Sequence, residues 1–403
     1  MSPQLDSLLQ PARLAGLVLR NRLIKTATFE GMCPGGIPGD DLIRHHASMA
    51  RGGVGLTTVA YCGVSPDGLT FPDQMWMHAG IFPQLRRLTA AVHGEGGAIS
   101  AQLAHCGYFS RNRPRSIPRP RGPSVCINQY GLFSGIPFGG AMDAADIRRT
   151  VAEYAAAASL VRDAGFDAIE IHMGHGYLLS QFISPALNKR RDAYGGSLEN
   201  RMALPLQVLA AVRGTVGRDF PLLAKLNLSD GFKGGLEIDE ACQAARLLEQ
   251  AGLDAIVMSG GLVSRTPMFL FRGDSPLPQM VLLEKNPLQR TAMKWFGGAS
   301  FPNLPFEELY FLELARQMRR SVTMPLVYLG GVSSAEGMAR AVDEGFDFLA
   351  LGRALLNDPL LPQRLQVQGR DWRSACNHCN QCVASMGLPG GIRCVLGPQA
   401  AVV

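Results

Sequence analysis

The feature that most constrains this chain is a short unit that recurs along it: a helix ending in Gly, then an Asp, then an apolar run. It reads AGFDAIEIH at 164–172, AGLDAIVMS at 251–259 and EGFDFLALG at 344–352, with RGGVGLTTVAY at 51–61 as a looser fourth copy. Glycine ends a helix because it takes the left-handed conformation without steric cost, and an uninterrupted apolar run suits a strand covered on both faces. Four more apolar runs lie between the copies, at 22–29, 98–105, 221–227 and 325–331. Stretches with helical periodicity alternate with them, as at 146–164, 202–216, 238–251 and 334–344. Eight strands alternating with helices predict a parallel (β/α)8 TIM barrel in the α/β class. A doubly wound open sheet would need a G-x-G-x-x-G turn after the first strand, and the sequence has none.

A chain of 403 residues is long enough for two or three domains. The unbroken alternation instead places one barrel over residues 1–370, with a Cys-containing extension over 371–403 packed on it. Two loops are enlarged, 106–141 after strand three and 262–305 after strand six, the second carrying Trp295 and Phe296. Loops after barrel strands build the active site, so both are candidate lids, with oligomer contact as the alternative. No run reaches the roughly 18–20 apolar residues of a membrane span, and the first residues lack a basic region followed by an apolar core. A cytoplasmic protein with no membrane partner is expected. The formal charge of +6 is dispersed, and the basic run at 111–121 reads as a solvated loop rather than a nucleic-acid surface. Nine cysteines, an odd number with four near the C-terminus, do not resemble a secreted disulfide framework and fit a reducing compartment.

The last two strands end in LGGVSSAEG and LGRALLNDP. Gly330, Gly331 and Gly352 let backbone N–H groups approach a phosphate, a following helix N-terminus adds partial positive charge, and Arg353 offers a planar fork of donors. A phosphorylated cofactor follows. Strand four ends in His172, His175 and Tyr177. Two imidazoles can polarise a carbonyl oxygen, and a phenol can protonate a carbon that has gained negative charge. A satisfied buried His pair beside a core Tyr is the plain alternative. Zinc is less suited, since the helical H-E-x-x-H pattern is missing.

The segment EIHMGHGYLLSQFISPALNKRRDAYGGSLENR, residues 170–201, resembles the signature of the Old Yellow Enzyme, or NADH:flavin oxidoreductase, family. The resemblance extends to NRLIK at 21–25, AQLAHCG at 101–107, GPS at 122–124 and FLALGRALLNDP at 348–359. It implies an FMN-dependent ene-reductase passing hydride from NADH or NADPH through flavin N5 to an activated alkene. It also implies that Ala27, Thr28, Phe29, Tyr61 and Gln102 contact the flavin, that Lys225 sits near its N1/O2 edge, and that Gly330, Gly331, Gly352 and Arg353 hold the phosphate. His172 and His175 would bind the substrate oxygen and Tyr177 would donate the proton.

Three departures stand out. Phe29 replaces the Thr or Cys of many relatives, and Lys225 replaces the common Arg. Cys376, Cys379, Cys382 and Cys394 form C-x2-C-x2-C-x11-C, similar to the iron–sulfur branch that includes dienoyl-CoA reductase. Four thiolates at this spacing suit an iron–sulfur cluster or tetrahedral zinc, and free thiols remain the third reading. Oxidative demethylation, electron transfer through a cluster, and a silent flavin-binding sensor are the alternative functions. The expected partners are a small electrophile and a nicotinamide donor, with a homo-oligomer possible.

Overall fold

The computed structural model describes residues 2–71, 73–112 and 116–397, so parts of the basic run at 111–121 and of the extension at 371–403 lie outside the described residues. An antiparallel hairpin, β1 (Ala12–Leu14) and β2 (Leu17–Leu19), precedes the first barrel strand, β3 (Leu23–Lys25). β4 (Leu56–Gly63) and β5 (Ala98–Ala104) follow, then three short strands, β6 (Arg121–Gly122), β7 (Cys126–Ile127) and β8 (Phe138–Ala141), which form their own small sheet. β9 (Ala168–Met173), β10 (Leu222–Asn227), β11 (Ala255–Ser259), β12 (Leu326–Tyr328) and β13 (Phe348–Leu351) complete the barrel. The order β3-β4-β5-β9-β10-β11-β12-β13 is parallel throughout and closes with Leu349 opposite Leu23. This is the eight-stranded barrel that the alternation predicts.

The repeated Asp has a structural reason. Asp167, Asp254 and Asp347 each stand just before a strand, and each carboxylate accepts an N–H at the start of the neighbouring strand: Ile99, the second residue of β5, at 2.8 Å, and Leu222 and Leu326, the first of β10 and β12, at 2.7 and 2.9 Å. An N–H at a strand's start that has no ladder partner is satisfied in this way by a charge-assisted bond. The same carboxylates also receive His93, Arg213 and Arg319.

Inside the barrel, alternation along each strand sets the layers. Ile24, Leu56, Ala168, Leu223, Val257, Val327 and Phe348 fill the lower part, and Ala12, Leu14 and Leu19 of the hairpin pack against them as a plug. A second, larger core lies between the strands and the surrounding helices. Burying one Leu or Ile there contributes roughly 1.5–3 kcal/mol. The insertion after β11 forms three helices, Pro267–Phe271, Leu277–Leu283 and Pro287–Ser300, with Trp295 and Phe296 on its outer side largely exposed.

The extension lies on the barrel. Trp372 is buried, Ser334 bridges to Arg373, the Asn380 amide donates to the carbonyls of Phe271 and Asp274, and Ile392 N–H donates to Glu30 O at 2.7 Å. Among the described residues no helix is long and apolar enough to cross a membrane.

Candidate active site

The strand ends open into a cavity of about 290 Å³ that gathers most of the residues singled out from the sequence. Ala27, Thr28, Phe29, Tyr61, Gln102, His172, His175, Tyr177 and Lys225 line it, and Gly331, Gly352 and Arg353 line its far end. Gly330 is set back from the lining, its backbone against Phe311.

Period-two alternation explains the layout. Ala168 faces the lower interior, so Glu170 and His172 stand above it on β9; Leu223 likewise sits below Lys225 and Asn227 on β10. β9 and β10 are in register, with Lys225 opposite His172. The chain then turns sharply. His175 has a positive φ of 60°, its N–H donates to Asn227 Oδ1 at 3.1 Å, and its carbonyl accepts Val263 N–H at 3.0 Å. These bonds hold a non-glycine residue in the sparsely populated left-handed region.

The two imidazoles meet edge to face with centroids 4.9 Å apart, and the Tyr177 ring lies 4.6 Å from that of His172. His172 Nδ1 accepts the Gly174 N–H at 3.3 Å. A neutral His172 therefore carries its proton on Nε2, where it can donate. Burial lowers the His172 pKa well below its ordinary value, with the nearby His175 and the Lys225 charge acting in the same direction. Burial, then Lys225, brings His175 down to about 3. His175 Nε2 lies 2.7 Å from Ser259 Oγ. Burial, and then Tyr61, push the Tyr177 hydroxyl well above the phenol value. Near neutral pH the site holds two uncharged imidazoles and one protonated phenol.

The wall around them is aromatic. Phe29 stacks on Phe71 at 5.0 Å, Phe109 packs on Tyr130 at 4.3 Å, and Tyr61 meets Tyr177 edge-on at 4.8 Å. Opposite, Lys225 Nζ lies 3.0 Å from Glu170 Oε1 and 3.1 Å from Thr26 Oγ1, and Gln102 Nε2 donates to the same Glu170 oxygen at 2.5 Å. A second buried pair, Lys25 and Glu30 at 2.6 Å, lies nearby. Glu30, His45 and His46 bring three potential ligand atoms within 4.8 Å, but the Lys25 ammonium already occupies Glu30 Oε1.

At the far end, the backbone N–H groups of Gly331, Gly352 and Arg353 have no acceptor among the described residues. Gly331 has a φ of 81°, and an added Cβ there would stand 2.6 Å from the Tyr310 ring, so only glycine fits this turn. Arg353 Nη1 is fixed by Arg272 O at 2.8 Å and Asn380 Oδ1 at 2.7 Å. Free N–H donors beside a fixed guanidinium suit a phosphate, and the polar Gln102–Lys225 edge with apolar Ala350 and Leu351 between suits a flavin. The residues present fit FMN.

Cys376 and Cys382 also line this end of the cavity, and all four tail cysteines line a smaller one beside it, next to Arg353 and Leu356. Asn357 Nδ2 donates to Cys394 Sγ at 3.4 Å. His378 and Asn380, between the first three cysteines, both have positive φ, which wraps the loop tightly.

A model of the NADH:flavin oxidoreductase / NADH oxidase family matches residues 7–266. The chain belongs to this family. It is accordingly an FMN-dependent oxidoreductase that takes its electrons from a nicotinamide. Among curated proteins it is 43% identical to the 4,4′-dithiodibutanoate disulfide reductase of Rhodococcus erythropolis, over 97% of this chain and 95% of that protein. It is 29% identical to a multifunctional alkene reductase/demethylase of Caballeronia cordobensis, over 94% of this chain but 51% of that one. A metal reductase of Desulforamulus reducens is 30% identical and likewise longer, 54% of it being covered. Apart from the Rhodococcus protein, then, these relatives are about twice the length of the chain. The fold is shared with 2-naphthoyl-CoA reductase, with a TM-score of 0.81 at 22% identity over 98% of this chain and 57% of that one. It is also shared with an old yellow enzyme homologue from Zymomonas mobilis, with a TM-score of 0.72 at 24% identity over 93% and 96%.

Several site residues escape the sequence reading. Glu170 had a signal: a carboxylate inside an apolar strand, with Lys225 in the next strand. Ser259 closes the apolar run of β11 as its one polar residue. Phe71 and Phe109 come from irregular loops and Tyr130 from the short 3-10 helix Gln129–Ser134, where no periodicity marks them.

Proposed function

We propose that this chain is a cytoplasmic enzyme that reduces an activated alkene, such as an α,β-unsaturated carbonyl, with electrons from NADH or NADPH. The observation that carries this reading is the neutral His172–His175 pair beside protonated Tyr177, lining a cavity whose other end suits a phosphate. Bound FMN supplies acceptance of hydride from the nicotinamide and its delivery to the acceptor. Gly331, Gly352 and Arg353 would hold its phosphate, and Gln102 and Lys225 would meet its polar edge. His172, through Nε2–H, and His175 bind the carbonyl oxygen and stabilise the negative charge that develops there as hydride adds to the β-carbon. Tyr177 then gives its proton to the α-carbon and recovers one from solvent, so a C=C bond gains one hydride and one proton. The aromatic wall excludes water and selects flat acceptors.

The likeness to a disulfide reductase over nearly the whole chain favours a second reading. Hydride addition to one sulfur would release the other as thiolate, and uptake of one proton would balance the reaction to two thiols.

Residues 371–403 are read as an extension of a single barrel domain over 1–370. Its four cysteines line one small cavity, which leaves an iron–sulfur cluster, zinc and free thiols as the readings to be separated by metal and sulfide analysis.

The test is anaerobic reduction of the purified yellow protein by NADH or NADPH, then mixing with 2-cyclohexenone or 4,4′-dithiodibutanoate. Rapid reoxidation by the enone is expected. Reoxidation by the disulfide alone would replace the first reading with the second, and reoxidation by neither would leave a flavin-binding sensor. Iron and sulfide analysis of the same sample tests the cluster.

A further inference from the structure

Glu170 does not line the cavity, yet it touches two groups that do. Its carboxylate, 2% exposed, takes the Gln102 amide at 2.5 Å and the Lys225 ammonium at 3.0 Å on the same Oε1. Among the described residues Lys225 has one other partner, Thr26 Oγ1. The cation at the floor of the site is therefore neutralised from below, and its neighbour Lys25 is neutralised in the same way by Glu30. Buried charges without partners are costly, but nothing requires the partner of Lys225 to be a carboxylate rather than the cofactor itself.

We propose that Glu170 is a positioning residue that holds Lys225 and Gln102 in place and keeps the flavin potential low; this rests on FMN occupying the cavity. Reduction adds negative charge to the flavin at the edge that Lys225 faces. Against an uncompensated buried cation that charge would be strongly favoured. Against a Lys–Glu pair the reduced site carries net negative charge, so the reduced cofactor is a stronger hydride donor. Glu170 thus trades ease of reduction by nicotinamide for driving force toward the acceptor.

The test is the midpoint potential of purified, FMN-loaded protein, read spectroelectrochemically without acceptor. Glu170→Gln keeps the shape and an acceptor oxygen for both partners while removing the charge. Reduced FMN should then bind at least about tenfold more tightly relative to oxidised FMN, a rise of about 30 mV for a two-electron couple. Glu170→Gln combined with Lys225→Gln removes both charges and should return the ratio to within about threefold of wild type. Lys225→Gln alone should lower the potential. The double variant and Lys225→Gln also serve if the single Glu170 variant fails to fold, since deleting both partners of a buried pair is better tolerated than deleting one. An unchanged or lowered potential in Glu170→Gln, or a double variant displaced as far as Glu170→Gln alone, overturns the proposal. Loss of FMN affinity with no change in potential would reduce Glu170 to a purely structural part. None of these readouts involves an alkene, so failure of the proposed substrate class would leave them standing.

Discussion

Replacing Tyr177 by Phe separates proton delivery from hydride transfer and distinguishes the two acceptor classes. The residue is 4% exposed, and its ring packs on His172, Tyr61 and Phe109 at 4.6, 4.8 and 5.9 Å. Phenylalanine keeps all three ring contacts, so folding should lose only what the hydroxyl contributes, about 1 kcal/mol. Reduction of the flavin by nicotinamide needs no proton from Tyr177 and should stay within about twofold of wild type. Protonation of a carbon does need an acid, and a positioned general acid supplies about 10²–10⁴ in rate. That is about 2.7–5.4 kcal/mol of barrier at about 1.36 kcal/mol per tenfold. Enone reoxidation, followed by stopped-flow at the flavin absorbance, should slow by that factor. A thiol has a reference pKa of about 8.5, so a thiolate can depart without a proton, and disulfide reduction should slow less than about tenfold. Enone reoxidation within about threefold of wild type would show that water or another group protonates the α-carbon, and the role given to Tyr177 would fall.

Two further outcomes follow from the same geometry. Arg353→Ala should weaken FMN by about 1.5–3 kcal/mol, the worth of a charge-assisted bond, while riboflavin, which lacks the phosphate, should change little in equilibrium dialysis; equal losses would remove Arg353 from the phosphate. Because His172 is held well below 6.5, His175 is held near 3 and Tyr177 is held well above 10, the imidazoles gain protons only in strong acid and the phenol loses its proton only in strong base. The enone half-reaction should therefore be flat from about pH 5 to 9, and a limb near pH 6.5 would mean an imidazole with its ordinary affinity for protons.

The barrel was legible because its cause is local and repeated. Each Gly–Asp–strand copy carries both the helix stop and the carboxylate that accepts an N–H at the start of the neighbouring strand, so Asp167, Asp254 and Asp347 mark three positions in the ring before any pairing is known. His172, His175 and Tyr177 were legible because one strand end carries all three. The rest depends on contacts between segments far apart in the chain. β1 and β2 are only three residues each, too short for periodicity to register, yet they plug the barrel. Phe71 and Tyr130 reach the acceptor wall from separate connecting segments. The Lys225–Glu170 pair spans two strands, and its register follows only once β9 and β10 are aligned. The insertion at 262–305 was legible as an enlarged loop, but not as helices, one of which supplies Met280 to the cavity.

The division of charge within the site has a physical logic. A cationic imidazole would stabilise a developing enolate more strongly than a neutral one, but it would also bind any anion and would stand beside Lys225, a like charge in a low-dielectric interior. Burial therefore keeps His172 and His175 neutral, and in the proposed reaction they would stabilise negative charge as oriented dipoles held by Gly174 N–H and Ser259 Oγ. Fixed dipoles need no reorganisation when charge appears on the substrate, which is where such donors gain their effect. The formal charges are paired: Lys225, level with His172, with Glu170 below it on β9, and Lys25 with Glu30 behind the cavity wall. Charge near the cofactor then tunes how readily electrons leave, while uncharged donors near the acceptor decide where they go.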